Sequence, residues 1–119
     1  MHELSIGAAV VDTAVRHAAG RRVRNVHLRV GALRQVVPGS LAFYFGLVAR
    51  ETVCEGATLE QELVGARLRC LACAREWAAD ALAFRCPSCG GAAVAVLSGE
   101  ELEVESIEVE TKTEASCIA

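Results

Sequence analysis

Four of the six cysteines fall into two matching pairs: Cys70 with Cys73, and Cys86 with Cys89, each a C-x-x-C. Two residues between ligands let both sulfurs of one turn face a single cation. Two such turns supply the tetrahedral sulfur set that Zn(II) prefers. The second turn, Cys86-Pro87-Ser88-Cys89-Gly90-Gly91, carries fitting backbone chemistry. Pro87 fixes φ early, and Gly90 can reach positive φ so that backbone N–H groups approach the sulfurs. In the first turn Ala74 stands in the place of Gly90, where a left-handed alanine costs about 1 kcal/mol. Four thiolates around one dication leave a net negative charge, and Arg67, Arg69, Arg75 and Arg85 are the neighbouring counter-charges. With every position filled by protein, nothing remains for water or substrate, so such a site serves shape rather than hydrolysis. Spacing alone also admits iron of the rubredoxin type or a pair of redox dithiols.

A second constellation opens the chain, Met1-His2-Glu3. A histidine at position 2 lets one ion bind the terminal amine, the backbone nitrogen of His2 and its imidazole. The adjacent chelate rings are planar, and planar nitrogen coordination suits Ni(II) or Cu(II). Glu3 adds an oxygen ligand or orients the imidazole. Taken bare this signal is weak, because a lone terminal histidine is usually only solvated. The other candidates read more plainly. His17 and His27 are expected at the surface, Cys54 as a small buried or half-buried thiol, and Cys117 as an unpaired thiol in a polar tail. Trp77 lies between the cysteine pairs and is expected to pack over their module. Glu100, Glu101, Glu103, Glu105, Glu108 and Glu110 read as a solvated strand face, with a partner-docking surface as the lesser alternative.

The elements that position these residues follow from periodicity. Leu4 to Ala19 is helical, with Ser5 as its cap and Gly20 at its C-terminal turn. Val23–Val30 alternates as a half-buried strand. A loop follows to Gly39, and Ser40 is the expected cap of a second helix, Leu41–Arg50. Thr58–Val64 is a second strand and Leu102–Val109 a third, whose apolar parity changes near Ser106 as a bulge would require. From Arg67 to Leu97 periodicity fades. The expected architecture is therefore α+β. Residues 1–66 and 98–119 form a discontinuous domain of two helices and a three-stranded sheet, and residues 67–97 form an inserted zinc-ribbon-like module.

The bulk composition narrows the function classes. The chain has 119 residues, 53% of them hydrophobic but only 4% aromatic, which allows a folded but thin core that a metal would staple. A net charge of −3, with no basic stripe among aromatics, argues against nucleic acid as a partner. No apolar run is long enough to span a bilayer, and the N-terminus lacks the basic region of a signal peptide. The expectation is a cytoplasmic chain, where paired cysteines are more often metal ligands than disulfides. No Ser/His/Asp set, open metal site or phosphate loop suggests an enzyme.

Met1-His2-Glu3-Leu4-Ser5-Ile6 resembles the opening of the HypA/HybF family of nickel metallochaperones for hydrogenase maturation. In order along the chain, Leu28-Arg29-Val30-Gly31-Ala32-Leu33, Val37-Pro38-Gly39-Ser40-Leu41, Gly56-Ala57-Thr58-Leu59, the paired C-x-x-C turns, Ser98-Gly99-Glu100-Glu101-Leu102 and Ile107-Glu108-Val109 extend the likeness over residues 1–110. The resemblance implies that His2 is the essential nickel ligand with Met1 and Glu3 contributing, and that Cys70, Cys73, Cys86 and Cys89 bind zinc. It further implies a HypB-type GTPase and the hydrogenase large-subunit precursor as partners, with urease accessory proteins served by some relatives. The chain itself would be a monomer or a weak homodimer. Ala74 departs from the glycine common after the first pair.

Overall fold

The computed structural model describes residues 3–79 and 85–110. The first helix, α1, spans Glu3–Ala18 and buries Ile6, Gly7, Val10, Val11, Ala14 and Ala18 along one stripe, as an amphipathic surface helix should. It ends where Ala19 (φ 51°) and Gly20 (φ 85°) turn left-handed. There Arg21 donates to Ala18 O twice, from its backbone N–H at 3.0 Å and from Nε at 2.8 Å. Gly20 thus does what its position predicted. Ser5 does not: it lies inside α1, and the acidic Glu3 occupies the first helical position, where the helix dipole favours it.

The strand β1, Val23–Gly31, comes next, then a 3-10 turn at Ala32–Arg34 and the second helix, α2, Pro38–Val48. The cap expected at Ser40 is also displaced. The capping residue is Val37, extended at φ −88° and ψ 112°, with Pro38 at the first helical position, where a missing N–H costs nothing. Glu3 closes this end from α1, its carboxylate accepting the Val37 N–H at 3.1 Å. Gly7 explains how closely the two helices approach: a Cβ there would stand 3.2 Å from the Phe45 backbone nitrogen.

The strands β2, Thr58–Val64, and β6, Leu102–Val109, flank β1 in the order β2-β1-β6. Val26, Leu28 and Val30 of β1 are buried, while Asn25, His27 and Arg29 alternate with them on the half-buried face. His27 is more engaged than a surface residue: Nδ1 lies 3.0 Å from Glu60 and Nε2 3.7 Å from Glu108. Asn25 Nδ2 donates to the same Glu60 carboxylate at 2.8 Å. In β6 the half-buried residues are Leu102 and Val104, then Ile107 and Val109, so the face changes at Glu105–Ser106, where the sequence changes parity.

Three short strands that periodicity missed make a second sheet: β3 (Arg67–Cys70), β4 (Glu76–Ala78) and β5 (Val94–Ser98), in the order β4-β3-β5. Both pairings are antiparallel. By packing, the chain forms two compact units. One contains the described residues up to Leu28, Val36–Gln61 and those from Glu103; the other contains Arg29–Gln35 and Glu62–Leu102. The first is centred on Val10, Ala14, Val26, Leu28, Leu41 and Phe45, the second on Ala66, Leu68, Cys70 and Cys86. Among the described residues no helix is long and apolar enough to cross a membrane. Substituting Gly7→Val forces side-chain atoms into the α1–α2 seam, and chemical denaturation should show a loss of about 2 kcal/mol.

Candidate metal centre

The alternation Arg67-Leu68-Arg69-Cys70 aims Leu68 and Cys70 to the buried side of β3, leaving Cys70 1% exposed. The chain then makes a tight turn whose bonds recur in the second cysteine pair. Ala74 N–H donates to Cys70 O at 2.9 Å and Cys70 N–H to Arg75 O at 2.8 Å. Equivalently, Gly90 N–H donates to Cys86 O at 2.8 Å and Cys86 N–H to Gly91 O at 3.0 Å. The shared geometry demands a left-handed residue after each second cysteine, and Ala74 (φ 66°) and Gly90 (φ 75°) supply it. The alanine adopts the strained conformation foreseen for it. Space is tight at Gly91, where a Cβ would lie 3.3 Å from Cys89 Sγ.

The four sulfurs lie within 4.8 Å of one another. Cys70 Sγ is 3.6 Å from Cys89 Sγ, and Cys73 Sγ is 3.6 Å from Cys86 Sγ. A disulfide would need about 2.05 Å, and these thiols are free. Sulfurs placed about 2.3 Å from a central zinc ion stand about 3.8 Å apart by tetrahedral geometry, close to the observed spacing. The donor set therefore fits a tetrahedral thiophilic cation, with one ligand pair buried (Cys70 and Cys86) and the other exposed.

The thiols within each turn are unequal. Backbone N–H groups of Cys73 and Ala72 point at the Cys70 sulfur, at 3.5 and 3.4 Å, and hold its pKa below the ordinary thiol value. The N–H groups of Cys89, then Ser88, bring Cys86 down to about 6. For Cys73 the Arg75 N–H favours the thiolate, but the Cys86 and Cys70 sulfurs outweigh it and raise the thiol to about 11. Cys89 is raised likewise, its Gly91 N–H overcome by Cys70 and Cys86. Two of the four thiols are thus favoured to ionise, and a cation at the centre would favour the thiolate of the other two. The arginines divide in a way the sequence did not reveal. Arg75 ties the turns together through Nη1 to Ser88 Oγ at 2.8 Å, and Arg85 reaches Gly90 O at 3.1 Å. Arg67 and Arg69 instead pair with Glu76 at 3.8 and 3.7 Å.

Of the N-terminal candidates, Glu3 begins α1, half-buried, while Met1 and His2 lie outside the described residues, as does Cys117. His17 is exposed at the end of α1. Trp77 is half-buried on β4, paired in register with Leu68. Cys54 is fully buried, and burial pushes its thiol up. Among the described residues, the four cysteines are the group of ligating side chains gathered closely enough for a metal ion.

Residues 1–109 match a family described as "Hydrogenase/urease nickel incorporation, metallochaperone, hypA". The chain belongs to that family. It is 47% identical to the hydrogenase maturation factor HypA of Geotalea uraniireducens over 110 residues, covering 92% of this chain and all of that one. It is 48% identical to the HypA of Streptomyces avermitilis over 112 residues, covering 90% of this chain and 86% of the relative. The fold is also that of the solution structure of the Ni metallochaperone HypA from Helicobacter pylori, with a TM-score of 0.68 at 23% identity over 92% of this chain and 97% of that one. Within this family frame, Ala74 is a local strain that can be relieved. Ala74→Gly should raise the stability of the cysteine unit by about 1 kcal/mol, read from the denaturation midpoint of the metal-loaded chain.

Proposed function

We propose that this chain is a non-catalytic nickel carrier for [NiFe]-hydrogenase maturation, with a resident zinc ion for shape. The single observation that carries this reading is the family match across residues 1–109. The cysteine geometry supports the zinc assignment: Cys70, Cys73, Cys86 and Cys89 would hold Zn(II), which cross-links the two turns and leaves no open position for chemistry. Residues 67–97 would then be a module whose folding is coupled to zinc.

Nickel is the cargo. Its ligands are the terminal amine of Met1, the backbone nitrogen and imidazole of His2, and Glu3 in support. Glu3 already accepts the Val37 N–H through Oε2, which ties the start of α1 to the start of α2. Ligands drawn from one short terminal stretch can be exchanged one at a time by an incoming partner, whereas a closed cage such as the sulfur site resists exchange. Affinity near micromolar, about −8 kcal/mol, suits that task. The partners in this reading are a HypB-type GTPase and the hydrogenase large-subunit precursor, with urease accessory proteins as a further destination, all in the cytoplasm.

Two tests follow. Calorimetric titration of untagged His2→Ala with Ni(II) should show affinity lower by about tenfold or more, with zinc content unchanged; wild-type nickel binding would refute the terminal site. Removing zinc with a chelator should raise amide exchange within residues 67–97 before α1 and α2 respond, and simultaneous loss across both would refute a separate module.

A further inference from the structure

Among the described residues, the second sheet ends on β5. Leu71 N–H donates to Ala93 O at 2.9 Å, and the register continues as Cys70↔Val94, Arg69↔Ala95 and Leu68↔Val96. Bonded and non-bonded pairs alternate in an antiparallel ladder. Ala93 and Ala95 therefore bond toward β3, and the backbone N–H and C=O groups of Val94 and Val96 point to the open edge. Natural edges are commonly blunted by charge, proline or a bulge; residues 90–99 contain neither charge nor proline, and the register shift, between Leu68↔Val96 and Arg67↔Ser98, lies beyond Val96. Val96 and Leu97 are 38% and 41% exposed.

Beside this edge lies a depression of about 260 Å³ lined by Val96, Leu97, Ser98, Glu100 and Glu101. Glu100 is exposed, and its backbone carbonyl accepts Arg34 Nε at 2.8 Å. Glu101 is fixed in place, Oε1 accepting the Gly99 N–H at 2.8 Å. Its own N–H and that of Gly99, with Arg29 behind them, hold its carboxyl below the usual range. Among the described residues, an uncharged edge with outward-facing backbone groups thus runs into a small depression whose lining includes two glutamates. Extended peptides add to such edges through main-chain bonds and are selected by pockets for alternate side chains.

We propose that β5 is a docking edge for an extended segment of a protein partner, which adds as a further strand along Val94–Ser98 and seats a lysine or arginine at Glu100 and Glu101. A second copy of this chain fits less well. Antiparallel pairing of two β5 strands about Val96 sets Glu100 opposite Ala92, within the uncharged run, so the carboxylates stay unmatched. This inference does not depend on the nickel reading.

The test uses the full-length, ¹⁵N-labelled, zinc-supplemented chain and the peptide acetyl-Lys-Val-Lys-Val-Lys-Val-Lys-amide. The amides of Val94–Ser98, Glu100 and Glu101 should shift, and the peptide with Glu for every Lys should bind at least about fivefold more weakly. Glu100→Gln should weaken the basic peptide by about threefold, the scale of one exposed ion pair. Val96→Pro removes an edge-facing N–H that the β3 ladder does not use, so the sheet persists, which unchanged zinc content and unchanged β1 amides would verify, and the peptide no longer binds. Equal affinity for both peptides, shifts away from β5, or full binding to Val96→Pro would overturn the proposal. So would β5 shifts that follow protein concentration alone, which would assign the edge to a second copy.

Discussion

Four sulfurs within 4.8 Å of one another form an arrangement that thiolates cannot keep without a cation. That repulsion is the constraint around which the second unit is built. Each turn aims two backbone N–H groups at its first cysteine and one at its second, whose neighbouring sulfurs outweigh it, so two thiols sit low and two sit high, and the balance is completed by positive charge at the centre. The three strands are too short to define a sheet by their own packing, and the largest of their buried side chains is Leu68. A metal at the sulfurs replaces the apolar core that so short a segment lacks. The left-handed conformation of Ala74 is tolerated for the same reason: the turn must close on the sulfurs whatever residue stands there.

The first unit solves a different problem. Its helices are held by close backbone approach at Gly7 and by the bond from Glu3 to Val37, and its sheet buries the alternating aliphatics of β1. None of this requires a metal. In the proposed division of labour, the permanent ion belongs where the chain cannot fold unaided. The travelling ion belongs at a terminus, where removing it leaves the packing undisturbed.

Much of this is legible in the sequence. The three long strands and both helices announced themselves through periods of two and of 3.6, because each buries one face and exposes the other. The cysteine spacing picks out the four thiols that the fold gathers, since the turn chemistry is local. The errors were local too. Ser5 and Ser40 fit caps by residue type, but the first helix starts at Glu3, and Val37 donates its N–H to Glu3, a partner 34 residues away in sequence that no local pattern reveals. Strands β3, β4 and β5 were invisible because three to five residues give too few repeats to establish a period. The strap from Arg75 to Ser88 was likewise hidden, because Arg67 and Arg69 carry the same charge nearby and only the fold sends them to Glu76.

Two metals with separate donor sets is the claim on which the account stands, and donor atoms can be counted directly. X-ray absorption at the zinc and nickel edges of one untagged, doubly loaded sample is the measurement. The account predicts four sulfur neighbours at about 2.3 Å around zinc and only nitrogen and oxygen neighbours around nickel. Sulfur in the nickel shell, or nickel displacing zinc from the cysteines, would contradict it.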